Sequence, residues 1–410
     1  MSETAMLTRA GSAETAEEAA ALVAQALQAC ASAPSAVLLV ATEHHTLAPL
    51  LAQVREAHPA VAVIGTTTSG GMFTEDRLVQ GPSIGIALVC DPMMDAGAHF
   101  AAFGEGTDRS AFEAARTAMR EAIDAADRTG ELPDMVVMCG VPGSEEQLVD
   151  GVRSVVGDSV HLIGGTAADD TIAGRWSVAG PNGAGGQGVA LLALYSEQPP
   201  VSAHESGYLP TERKAVITSG SGRVIHTLDH RPATTVYNEW LVDTLGTNLT
   251  TGSILDVTAL TPLGRVTGEH AGHPVYSLAH PAHAHADGSL ELFAEIEQGQ
   301  EIILLCGTRD ALIKRAGRTV ASAVGGLPCS GALMTFCAGC SIAVSDRLPE
   351  VVQAVGQAVR SRPLLGWFTF GEQGPRLGGD RLEHANLMLA ALAFPAERPL
   401  PLSGARNALR

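Results

Sequence analysis

Apolar residues in this chain fall in short unbroken runs separated by polar loops and helical spacings. Ala36 to Ala41 reads AVLLVA, a run suited to a strand buried on both faces. A polar TEHH follows, then LAPLLAQVREA with apolar residues at helical spacing, then VAVIG ending at Gly65. Thr66, Thr67, Thr68, Ser69, Gly70 and Gly71 come next. The same order returns at MVVMCG (135–140), with VPGSE, EQLVDGVRSVVG, VHLIGG and TAADD behind it. It returns again at ALMTFCAG (332–339), followed by CSIAVSD, PEVVQAVGQAVRS, PLLGWF and TFGEQGP. Each copy predicts a strand, a crossover helix and a second strand parallel to the first. Gly65, Gly164 and Gly366 are expected to end the second strands, where glycine permits a tight turn or a close backbone approach.

Between the copies the pattern is antiparallel. GPSIGIALVC (81–90), GQGVALLALYS (186–196) and EIILLCGTR (301–309) read as strands without crossover helices. RKAVITSGSGRVIHTLD (213–229) reads as a hairpin turning at Ser219-Gly220-Ser221-Gly222. The fold class is therefore α/β, two-domain, with mixed sheets built on repeated strand–helix–strand units. Breaks are expected at SEQPP (196–200) and at Asp229 to Pro232, before a helix carrying Tyr237 and Trp240.

Composition narrows the function classes. A chain of 410 residues exceeds one ordinary core. With 46% hydrophobic and 17% charged residues it fits a globular protein and not a disordered one. The net charge is −18, with no Lys/Arg cluster, which argues against nucleic acid and anionic membrane as partners. No apolar run is long enough to span a bilayer. Acidic residues occupy the place of a basic signal-peptide region, so a cytoplasmic location is expected. The cysteine count is seven; an odd number, mostly in apolar runs, points to buried thiols and not to a disulfide framework.

The segments VIGTTTSGGMFTEDRLVQGPSIGIALV, HLIGGTAADD and GQGVALLALYS resemble the N-terminal half of FIST domain proteins. HTLDHRPATTVYNEWL, LMTFCAGC, PLLGWFTFGEQGP and EHANLMLAALAF resemble the C-terminal half. The matches keep their order from about Ala36 to Phe394. The resemblance divides the chain into an N-terminal helix and extension (1–31), a FIST N-like domain (32–228), a FIST C-like domain (229–395) and a tail (396–410). It implies an intracellular sensor of a small polar ligand, an amino acid or related metabolite, that signals through a separate protein, since no segment here is large enough for a fused output domain. Some members are haem proteins that sense nitric oxide. An enzyme acting on a small polar metabolite through Glu372, His384 or the thiols of Cys337 and Cys340 is the other class that the residues allow. Cys340 stands where the family carries an arginine.

The candidate chemistry lies mainly at strand ends, where α/β folds bind ligands. Glu372, between Gly371 and Gly374, could take a ligand ammonium or act as a general base, or could simply cap loop N–H groups. Trp367 and Phe370 could wall a pocket, although core packing suits them better. His384 and Asn386 share a face by alternation and either contact ligand or close a turn. Cys337 and Cys340 form a C-x-x-C at a strand end; a lone pair without a second C-x-x-C or a following histidine argues against zinc and haem attachment. The loops containing Thr66, Thr67 and Ser69, and Gly165, Thr166 and Asp169, could cradle a small charged group. His44 and His45 are the candidates for an axial haem ligand. His270, His273, His280, His283 and His285 are read as a hairpin tip, and no metal site is expected.

Overall fold

The computed structural model describes residues 5–104, 109–270, 272–376 and 381–396. The fold is α/β with mixed sheets built on repeated units. In the first unit strand Ala36–Thr42, helix Leu47–Ala57 and strand Ala62–Thr68 form a parallel crossover. The second consists of Met135–Gly140, Glu145–Val156 and His161–Thr166, and the third of Cys329–Cys337, Leu348–Ala358 and Leu364–Thr369. All six strands are buried along almost their whole length, which is why they read as continuous apolar runs and not as alternation.

Each unit is closed on one side by an antiparallel strand: Ser83–Cys90 on the first, Gly188–Ser196 on the second, Met388–Pro395 on the third. A further antiparallel strand follows each of these, Ala5–Ser12, Met94–Ala102 and Val201–Ser206 respectively. The N-terminal segment therefore contributes a strand as well as the expected helix, Ala16–Ala29.

The other side of each unit is closed by a hairpin taken from a different unit. The hairpin Gly71–Thr74/Leu78–Gln80 leaves the first unit and pairs with Leu364–Thr369 of the third. Glu372–Pro375/Leu382–Ala385 leaves the third and pairs with His161–Thr166 of the second. Val178–Gly180/Gly183–Gly185 leaves the second and pairs with Ala62–Thr68 of the first. This cyclic exchange produces three six-stranded sheets among the described residues and covers the edges that the parallel strands would otherwise expose. Among the described residues a nine-stranded antiparallel sheet, built from residues 209–306, is inserted between the strands Val201–Ser206 and Cys329–Cys337 of the third sheet.

Gly65, Gly164 and Gly366 do have parallel neighbours, but none ends its strand; the strands run on to Thr68, Thr166 and Thr369. Their role is close approach. A Cβ on Gly366 would lie 2.2 Å from the ring of Phe73, which the exchanged hairpin packs against it.

Candidate functional site

The three second strands end at one junction. Ala168 N–H donates to the Thr67 carbonyl at 3.1 Å, Ser69 N–H to Phe368 at 3.2 Å and Phe370 N–H to Thr166 at 3.0 Å. The expected convergence of strand ends is present, but Thr66, Thr67, Gly165 and Thr166 are buried strand residues, not loop residues. Thr67 Oγ1 accepts Ser177 N–H at 3.0 Å. Asp169 is also internally committed: its carboxylate accepts the N–H groups of Thr171, Ala173 and Arg175 at 2.8–3.2 Å. It caps its own loop.

Glu372 is fully buried behind this junction. One carboxyl oxygen meets the Thr369 hydroxyl at 2.5 Å and the other accepts Met388 N–H at 3.1 Å. The Cys337 thiol lies close enough to raise the carboxyl's pKa. Burial, then the neighbouring Cys337, push the carboxyl well above its usual range, which favours the protonated form. Cys337 caps the helix Ala338–Ala343, which places the pair at a helix start where the sequence suggested a bare strand end. Both thiols are free and buried. Burial and the bond to Cys340 raise the Cys337 pKa far above the ordinary thiol value, the opposite of activation. Cys340 in turn contacts the Tyr208 hydroxyl at 3.5 Å, and that hydroxyl donates to the Ala259 carbonyl at 2.7 Å. Leu387, whose φ is 55°, donates its N–H to Cys337 Sγ at 3.2 Å; a non-glycine residue in this region is uncommon.

A small apolar cavity of about 40 Å³ opens beside Cys337, lined also by His280, Phe293, Phe370 and Asn386. Asn386 bridges the His280 N–H and the Phe370 carbonyl. Trp367 is a core residue at 2% exposure, so it walls no open pocket. Of the histidine-rich stretch, His270 and His273 pair across adjacent antiparallel strands, while His280 is buried with Nε2 3.0 Å from Thr258 Oγ1.

On the other face of the exchanged hairpin lies a polar cleft of about 240 Å³. His384 lines it, with Nδ1 accepting from Gln373 Nε2 at 3.1 Å; the same amide also donates to Thr166 at 2.9 Å. The His384 Nε2 and Gln373 Oε1 atoms are buried without hydrogen-bond partners among the described residues. A Cβ on Gly371 would come within 2.3 Å of His384 Cε1, so glycine is what allows the imidazole to sit there. Opposite, Glu146 lies on helix Glu145–Val156, and Arg265 and Ser277 lie on strands of the inserted sheet. Burial opposes ionisation of Glu146, yet His384, Arg223 and the Glu295 N–H hold its pKa at about 2. Glu383, paired with Arg376 at 3.2 Å, is raised by burial.

The chain matches the FIST N domain model over residues 35–231 and the FIST C domain model over residues 233–375. It belongs to the FIST domain family. The cleft of this FIST protein draws side chains from both matched segments. No curated protein matches it. Two solved structures resemble it in outline. The crystal structure of a cyanuric acid hydrolase from A. caulinodans has a TM-score of 0.38 at 10% identity, covering 96% of this chain and 100% of that one. A second cyanuric acid hydrolase structure, described as an evolutionary innovation by structural concatenation, has a TM-score of 0.34 at 9% identity with the same coverage. Likenesses this distant carry no functional argument.

The haem candidates are not set in a haem pocket. His45 Nε2 is 2.9 Å from the Ala13 carbonyl, and His44 is exposed with Nδ1 3.4 Å from Thr42 Oγ1. Neither lines the cavities described above, so these residues do not fit haem ligation. Glu43, His44 and Asp170 do gather ligand-type atoms within 4.8 Å of one another. Their carboxylates are already engaged by Arg175 at 2.8 Å and Gly70 N–H at 2.6 Å. Among the described residues no helix is long and apolar enough to cross a membrane.

Sequence reading missed Arg265, Glu146 and Gln373. The available signal was a charged residue inside a strand pattern, LGRVTGEH, and a glutamine beside Glu372 in a buried hairpin.

Proposed function

We propose that this FIST protein is a receptor for a small polar ligand, an amino acid or related metabolite, bound in the polar cleft between helix Glu145–Val156, the exchanged hairpin and the inserted sheet. The observation that carries this reading is a cleft of about 240 Å³ into which His384 is built at 3% exposure. Ligand sites are typically concave, with a few convergent polar groups. Glu372, Cys337 and Cys340 do not line this cleft; they lie buried behind it. The function in view is intracellular sensing, with the signal passed to a separate protein. The test is a thermal-shift screen of the full chain against small polar metabolites, repeated with Gln300→Trp, which fills the cleft. A binder that raises the melting temperature of the parent and not of the variant supports the reading. Failure of every metabolite to bind, or binding that survives Gln300→Trp, overturns it.

A further inference from the structure

We propose that the cleft anchors its ligand by a carboxylate seated on Arg265, and that the rest of the ligand presents hydrogen-bond donors to Glu295 and Glu297. This rests on the reading of the cleft as a ligand site. Arg265 lies on strand Leu263–His270, is 9% exposed and lines the cleft. A guanidinium has five N–H donors. Here Nη1 donates to the Glu295 carbonyl and Nη2 to Ser277 Oγ at 2.8 Å, while Nε is buried without a partner.

Three of the neighbouring carboxylates are already matched. Glu146 pairs with Arg223 at 2.7 Å, Glu383 with Arg376 at 3.2 Å and Asp150 with Arg381 at 3.5 Å. Arg265 has no direct ion pair among the described residues; burial disfavours its charge while Glu146 and Glu383 favour it from a distance, and a carboxylate in direct contact would offset the cost of burial. A planar carboxylate suits the guanidinium fork. Phosphate suits the cleft less well, because Glu295 and Glu297 also line it without ion pairs among the described residues. They would repel a second negative charge and favour an ammonium or hydroxyl at the ligand's far end.

The experiment uses the full chain and four probes in calorimetric titration: β-alanine, acetate, ethanolamine and inorganic phosphate. β-Alanine is expected to bind one per chain and more tightly than acetate or ethanolamine. Arg265→Met should weaken it by at least about tenfold, the equivalent of one charged hydrogen bond. Arg265→Lys keeps the charge but loses the fork, and should weaken it in the same direction; it serves if the Met variant does not fold. β-Alanine affinity unchanged in a folded variant overturns the proposal. So does binding of phosphate or ethanolamine in preference to the carboxylates. If the metabolite screen yields a ligand without a carboxylate, the anchor fails and the cleft reading stands. If neither screen nor probes bind, both fail.

Discussion

Glu372→Gln separates a buried neutral acid from a charged ligand contact. In the folded protein the carboxyl meets the Thr369 hydroxyl at 2.5 Å, Met388 N–H at 3.1 Å and the Cys337 thiol. An amide can reproduce this pattern, its oxygen accepting from Met388 and its N–H groups facing Thr369 and Cys337. At pH 5.5 the variant should therefore lie within about 1.5 kcal/mol of the parent, the worth of one hydrogen bond. The pH dependence is the decisive part. The folded pKa is raised well above the 4.5 of the unfolded chain, so between those two values the folded state holds a proton that the unfolded state has released. The stabilisation linked to that proton is fully present below 4.5 and is lost as pH rises toward the folded pKa. Across that window the parent loses up to about 1.4 kcal/mol per pH unit relative to the variant, which has no such group. Denaturant unfolding of both proteins at pH 5.5, 6.5 and 7.5, followed by the fluorescence of buried Trp367, measures the difference. It should move steadily in favour of the variant as pH rises. A difference that stays constant, or moves the other way, would show Glu372 ionised in the folded state and return it to the role of a charged contact.

His280 should remain neutral far below the usual histidine range, since burial depresses its pKa from 6.5 to about 4. Its contribution to stability is then lost as pH falls from 6.5 toward 4, and nitrogen-detected NMR titration showing a midpoint near 6.5 would refute this. Gly366→Ala should destabilise the protein by about 1–3 kcal/mol through overpacking, because the added methyl meets the Phe73 ring at 2.2 Å; an unchanged denaturation midpoint would mean that the exchanged hairpin yields without cost.

What the sequence by itself determined was local. AVLLVA, MVVMCG and ALMTFCAG announce doubly buried strands, and the helical spacing behind each announces a crossover, because periods of 2 and 3.6 are written in neighbouring residues. The parallel pairing of all three units follows from that spacing, and the structure contains it. Tertiary structure decided which edge each hairpin closes. Gly71–Thr74 pairs with Leu364–Thr369, nearly 300 residues away, and no local period encodes which of three similar edges it will cover. The same exchange set the fate of the candidate residues. It carried Glu372 behind the junction, buried against Cys337, and set His384 on the opposite face, toward the cleft. Arg265, read along the chain, is one charged residue in a strand; its missing counter-ion becomes visible once Glu146, Glu383 and Asp150 are seen to be paired with other arginines. Burial and charge matching depend on which surfaces meet, and that is a property of the assembled sheets.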